Sequence, residues 1–132
     1  MKKYILNLIF IISGLILFII LINLVFLDIK TYEYEATIGN NVGINVDNDK
    51  IYFGTILKNG VSKRNIRIEG IQSKSIVKLK ANGDLSESIY FSENNFIIDK
   101  DQVKEIEIIL APQNVEYGKY QGKVILFFLR KW

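Results

Sequence analysis

Between Tyr4 and Leu27 the chain runs for 24 residues (YILNLIFIISGLILFIILINLVFL) without a charged side chain. As a helix rising about 1.5 Å per residue it is about 36 Å long, enough to cross a hydrocarbon core of about 30 Å with some tilt. A helix apolar on every side needs a complete wrapping, which the rest of a 132-residue chain is too small to supply. Lipid is the expected surrounding. No small-x-small cleavage site closely follows Leu27, so the helix is expected to be retained. Lys2 and Lys3 stand before it, whereas Asp28 and Lys30 follow. The positive-inside bias predicts a cytoplasmic tail over 1–3, a transmembrane helix over 4–27 and everything after it outside. With so short a tail, no cytoplasmic domain is expected. Asn7, Ser13, Gly14 and Asn23 interrupt the greasy run. Asn7 and Gly14, a heptad apart, share a face suited to helix–helix contact, and Asn7 and Asn23 equally fit the two interfaces.

Beyond the span, removing Lys2 and Lys3 from 17 basic residues leaves 15 against 14 acidic ones, a nearly neutral segment. Nucleic-acid binding wants a concentrated basic face and is not expected. The chain has no Cys and no His. That removes disulfides, thiol and imidazole catalysis, and nearly all zinc or haem ligation. A Ser or Thr nucleophile would need an activating Lys or amino terminus, and no motif sets one up. Asp47 with Asp49, and Asp99 with Asp101, offer paired oxygens, but neither pair approaches the six or more ligands of a calcium loop. Turn chemistry accounts for both. No catalytic residue, metal or cofactor is expected.

The segment after the span alternates. Tyr32, Tyr34, Ala36 and Ile38 fall on one face, and after Gly39-Asn40-Asn41 the pattern resumes at Val42, Ile44 and Val46 up to Asp47-Asn48-Asp49. Lys50 to Leu57 is apolar on both faces, with Gly54 predicting a bulge or a close backbone approach. Lys63–Glu69, Ser75–Ala81, Ile89–Phe91, Phe96–Ile98, Lys104–Leu110 and Lys119–Leu129 complete the strand candidates, divided by turn signals such as Asn59-Gly60 and Asn82-Gly83. No sustained 3.6-residue period occurs outside the span. Short strands with a turn about every 8 to 12 residues predict a mainly β chain, an antiparallel sandwich following a single helix. The expected organisation is 28–48 as a juxtamembrane segment with possible first strands, and 49–132 as the sandwich.

Three stretches in order, IYFGTILKNGVSKRNIRIEG, NNFIIDKDQVKEIEIIL and APQNVEYGKYQGKVIL, carry a family likeness. The chain from Asp49 to about Leu129 resembles the immunoglobulin-like sandwiches of the major sperm protein and ASH type, and related archaeal and bacterial surface modules. The resemblance implies an immunoglobulin-like β-sandwich of a prokaryotic, archaeal surface protein, and supplies no catalytic residue. Heavy use of Ile, Lys and Asn fits an AT-rich prokaryotic genome.

Two further features bear on function. Gly118 and Gly122 flank Tyr120, predicting a structural corner where the chain turns into the last strand and the Tyr120 hydroxyl seeks a nearby backbone group. In that strand Tyr120, Gly122, Val124, Leu126 and Phe128 alternate with Ile125, Phe127 and Leu129, which form a second apolar face. A solvated sheet rarely shows so much apolar surface, so the segment from Tyr32 to Val46, a phase-flipping bulge, or another chain is expected to cover it. The expected function is a non-catalytic, membrane-anchored extracytoplasmic module for protein interaction or cell-envelope organisation. Its expected partners are the lipid bilayer and a protein or a second copy. The alternative is a subunit or assembly factor of a surface filament or secretion apparatus, joined by strand exchange.

Overall fold

The structure is a computed structural model that describes residues 1–39 and 50–132. The strand expected over Val42, Ile44 and Val46 and the Asp47-Asn48-Asp49 turn lie outside the described residues. Helix α1 spans Lys2–Val25, and its side chains are exposed throughout. Its most apolar window has a mean hydropathy of 3.1. Two polar side chains within it turn back onto its own backbone: Ser13 Oγ donates to the Phe10 carbonyl at 3.0 Å and Asn23 Nδ2 to the Ile19 carbonyl at 2.9 Å. Such self-satisfaction is what a helix in an apolar solvent requires.

Among the described residues eight strands follow: β1 Phe26–Ile38, β2 Ile51–Ile56, β3 Ser62–Glu69, β4 Ser75–Gly83, β5 Ile89–Phe91, β6 Phe96–Ile98, β7 Val103–Leu110 and β8 Gly118–Arg130. They form a five-stranded sheet in the order β2-β1-β8-β4-β6 and a three-stranded sheet in the order β3-β7-β5. The chain is thus mainly β, a two-sheet sandwich after one apolar helix. Inward residues alternate along each strand as the pleat dictates. Tyr34, Ala36, Ile38, Val77, Leu79, Val124, Leu126 and Phe128 face Ile68, Ile106, Ile108 and Leu110 across the core.

Two departures from the sequence reading have physical causes. Phe26 and Leu27, expected to finish the span, begin β1, because β8 offers a pairing partner as far as Phe26 opposite Leu129. The segment from 28 to 38 is an inner strand of the larger sheet, so the sandwich takes in Phe26–Ile38 together with strands of the 49–132 stretch. One pair is also not antiparallel: β1 runs parallel to β2, with Tyr34 opposite Ile51 and Ile38 opposite Ile56. The chain leaves β1 at its far end and re-enters at Ile51, level with Tyr34, which sets the two strands in one direction.

The edges of the larger sheet are closed by side chains. The β1–β2 register shifts between Glu35 and Ala36, so Phe53 lies unpaired in a bulge and Gly54 has φ 74°. Glycine accepts that left-handed backbone without a Cβ clash. Arg64, from β3 in the other sheet, donates through Nε to the Tyr52 carbonyl at 2.6 Å, and Ser62 Oγ donates to the Phe53 carbonyl at 2.9 Å. The free edge of β2 is thereby occupied from the opposite layer. At the other side Asn94 imitates a strand residue: its Oδ1 accepts from Leu79 N–H at 2.8 Å and its Nδ2 donates to the Leu79 carbonyl at 2.9 Å. The short ladder of β4 with β6 is extended by one amide side chain.

Candidate functional site

Because β8 is central in its sheet, flanked by β1 and β4, its two faces have different neighbours. Val124, Leu126 and Phe128 point to the second sheet and are fully buried. Ile125, Phe127 and Leu129 point away from it and are half-buried. Strand pairing sets Phe127 beside Ile29 and Lys78, Ile125 beside Thr31 and Lys80, and Leu129 beside Phe26 and Ile76. The Phe26 ring meets Phe127 edge-on at 6.1 Å. Ile97 on β6, opposite Ile76, continues the patch outward and is exposed.

The apolar patch therefore spans four strands and occupies the half of the outer face nearest α1. Of the segment expected to cover it, Tyr32, Tyr34 and Ile38 turn to the inner core instead, and Val42, Ile44 and Val46 lie outside the described residues. Two side chains extend the patch toward the helix. Arg130 Nε donates to the Leu24 carbonyl at 2.9 Å, closing one of the unpaired carbonyls at the end of α1. Trp132 lies beside the Arg130 guanidinium at 5.8 Å and is exposed. Farther from α1 the same face becomes charged. Lys50 pairs with Glu33 at 3.6 Å, and Lys119 Nζ lies 2.8 Å from Glu35 Oε1. That hydrogen bond holds the Glu35 carboxyl below its ordinary range and lifts the Lys119 ammonium above its own.

Around the last strand, Tyr120 Oη donates to the Glu116 carbonyl at 2.8 Å, just before the Gly118 start of β8. Gly122 serves a different tyrosine. A Cβ there would run into the Tyr34 ring and the Asn82 carbonyl, and Gly83, with φ 108°, packs its backbone on Gly122 from β4. The buried Tyr34 ring is thus seated on a floor of two glycines, and burial pushes its phenol up from the ordinary tyrosine range. No signal near Tyr34 itself points to this seat; the Gly122–Gly83 pairing becomes visible only once β4 and β8 are aligned.

Asp99 is engaged by Lys74 at 3.3 Å, and Asp101, with φ 62°, turns the chain into β7. Among the described residues no three acidic groups stand close enough to hold a metal ion. A cleft of about 210 Å³ between β1 and β3, lined by Lys30, Tyr32, Arg67 and Phe128, is smaller than ligand pockets of about 300 to 1,000 Å³.

No family model matches the chain, and no curated protein matches it. Two solved structures of DraE adhesin in complex with chloramphenicol succinate are similar to it at 12% identity, over 79% of this chain and 96% of theirs, with TM-scores of 0.46 for the monoclinic form and 0.38. At these values the likeness carries no inference about ligand or partner.

Proposed function

We propose that the protein is a single-pass, membrane-anchored module of a prokaryotic cell envelope, with residues 1–3 inside and a sandwich of the major sperm protein and ASH kind outside. It does no chemistry and acts by holding a contact through the outer face that carries Ile125, Phe127 and Leu129. The observation that supports this most is the junction: an exposed apolar helix passes into β1 with no connecting residue, and Arg130 ties the end of β8 to Leu24. A sandwich joined so directly moves with its anchor and is held at the bilayer surface. There its local concentration is raised, so a weak contact suffices. The absence of His and Cys supports a binding role over catalysis. Gly118 and Tyr120 act as a corner that starts β8.

The test is extraction and labelling of the full chain. The protein should stay with membranes in alkaline carbonate, and Val61→Cys, at an exposed position remote from α1, should react with an impermeant maleimide on intact cells. Release by carbonate contradicts the anchor; labelling only after lysis contradicts the orientation. A second reading, a filament subunit joined by strand exchange, draws on β1 lying between β2 and β8. A neighbouring copy has the chemistry to supply such a strand, and self-association through an exchanged β1 would distinguish it.

A further inference from the structure

Resting on the anchored reading above, we infer that the apolar outer face beds into the headgroup region of the same bilayer, so that the sandwich reclines on an anionic membrane surface. Three observations point to lipid as the occupant. The patch is continuous with the lipid-facing helix, for Phe26 follows Val25 and packs on Phe127. Its fringe has the chemistry of a membrane interface, with Trp132 exposed beside Arg130 and with Lys131 next to both. Its charge is one-sided: exposed Lys78 and Lys80 stand next to Phe127 and Ile125, while Glu33 and Glu35 lie farther along β1, each already facing a lysine.

Depth separates reclining from standing. Ile125 is four residues before Leu129, about 13 Å along a strand rising about 3.3 Å per residue. The headgroup layer adds only about 5 to 7 Å to each side of the hydrocarbon core. An upright sandwich leaves Ile125 and Thr31 in water, whereas a reclining one brings them to headgroup level with Lys78 and Lys80 against lipid phosphates. Lysine stems then lie along the apolar surface while their ammonium groups reach the phosphates.

The experiment uses the full chain, one copy per nanodisc, in phosphatidylcholine with phosphatidylglycerol. The chain has no Cys, so Ile16→Cys in α1, Thr31→Cys on the outer face and Asn65→Cys on the outside of the other sheet each carry one fluorophore. Nitroxide lipids should quench Ile16 from the acyl chains and Thr31 from the headgroups, and leave Asn65 bright. Lys78→Ala and Lys80→Ala should each lower the ratio of docked to lifted molecules roughly fivefold, as expected for one lysine at an anionic surface. Quenching at Ile16 with Thr31 as bright as Asn65 overturns the inference and leaves the anchor standing. An unquenched Ile16 overturns both. If, in discs holding two copies, unlabelled Thr31→Cys forms an intermolecular disulfide and the labelled variant loses its quenching, a second copy is the occupant and the inference fails.

Discussion

Along β8 the inward residues Val124, Leu126 and Phe128 are fully buried, while the outward Ile125, Phe127 and Leu129, no less apolar, are half-buried. Composition does not separate the two sets. The inner three lie beneath the three-stranded sheet, and among the described residues the outer three meet only their flanking strands. The inner face builds the core, and the outer face is the one through which we propose the sandwich makes its contact. A strand that is apolar on both faces normally lies between two covering layers; among the described residues β8 has one.

The most severe way to break this comparison is to remove β1, which supplies Tyr34, Ala36 and Ile38 to the inner face and Phe26 and Ile29 to the outer. A chain beginning at Phe26 should give a β-type circular dichroism spectrum with a cooperative melt. One beginning at Lys50 should not fold, because β2 and β8 lose the strand between them. A folded fragment from Lys50 would make β1 an accessory. Next in size, Phe128→Ala should lose about 3 to 5 kcal/mol in urea unfolding, whereas Phe127→Ala should lose no more than about 1 kcal/mol. Equal losses would erase the distinction between the faces. Gly122→Ala should cost about 1 to 3 kcal/mol through displacement of Tyr34 and the β4 backbone, and Tyr34→Phe, which removes the hydroxyl but keeps Cζ in the way, should relieve that cost only in part.

The smallest effect is electrostatic and concerns the charged end of the outer face. The carboxyl of Glu35 is held below its ordinary value of 4.5 by its bond to Lys119, so its contribution is present above that value and lost as pH falls through the lowered one. Lys119 is lifted above 10.5, so its contribution is present below that value and lost as pH rises through the raised one. Wild type and Glu35→Gln should therefore differ by a small constant amount at neutral pH and converge at both extremes, with added salt narrowing the gap. A gap that widens below pH 4.5 would contradict the pairing.

Much of this architecture was legible because period-2 alternation is a local signal. Ile89–Phe91 and Phe96–Ile98 stand where the apolar runs place them, and Gly54 marks a real bulge. What escaped the sequence is pairing at a distance. Nothing in Phe26-Leu27 distinguishes the last residues of a span from the first of a strand until β8 lies beside them. The direction of β2 shows only in its register with β1, Tyr34 opposite Ile51 and Ile38 opposite Ile56. Arg64 occupies the edge of the opposite sheet and Asn94 extends a ladder, and in both cases the partner lies more than ten residues away in the chain. The second apolar face of β8 was readable from alternation alone. Its extension to Phe26, Ile29, Ile76 and Ile97 required the strand order.

The most direct test of the division between the faces is the urea midpoint of full-length Phe127→Glu in detergent micelles, read by circular dichroism. If the outer face serves contact and not folding, the midpoint should stay close to that of the wild type while Phe128→Ala falls far below it. A Phe127→Glu protein that unfolds as readily as Phe128→Ala would place Phe127 in the core and contradict the account.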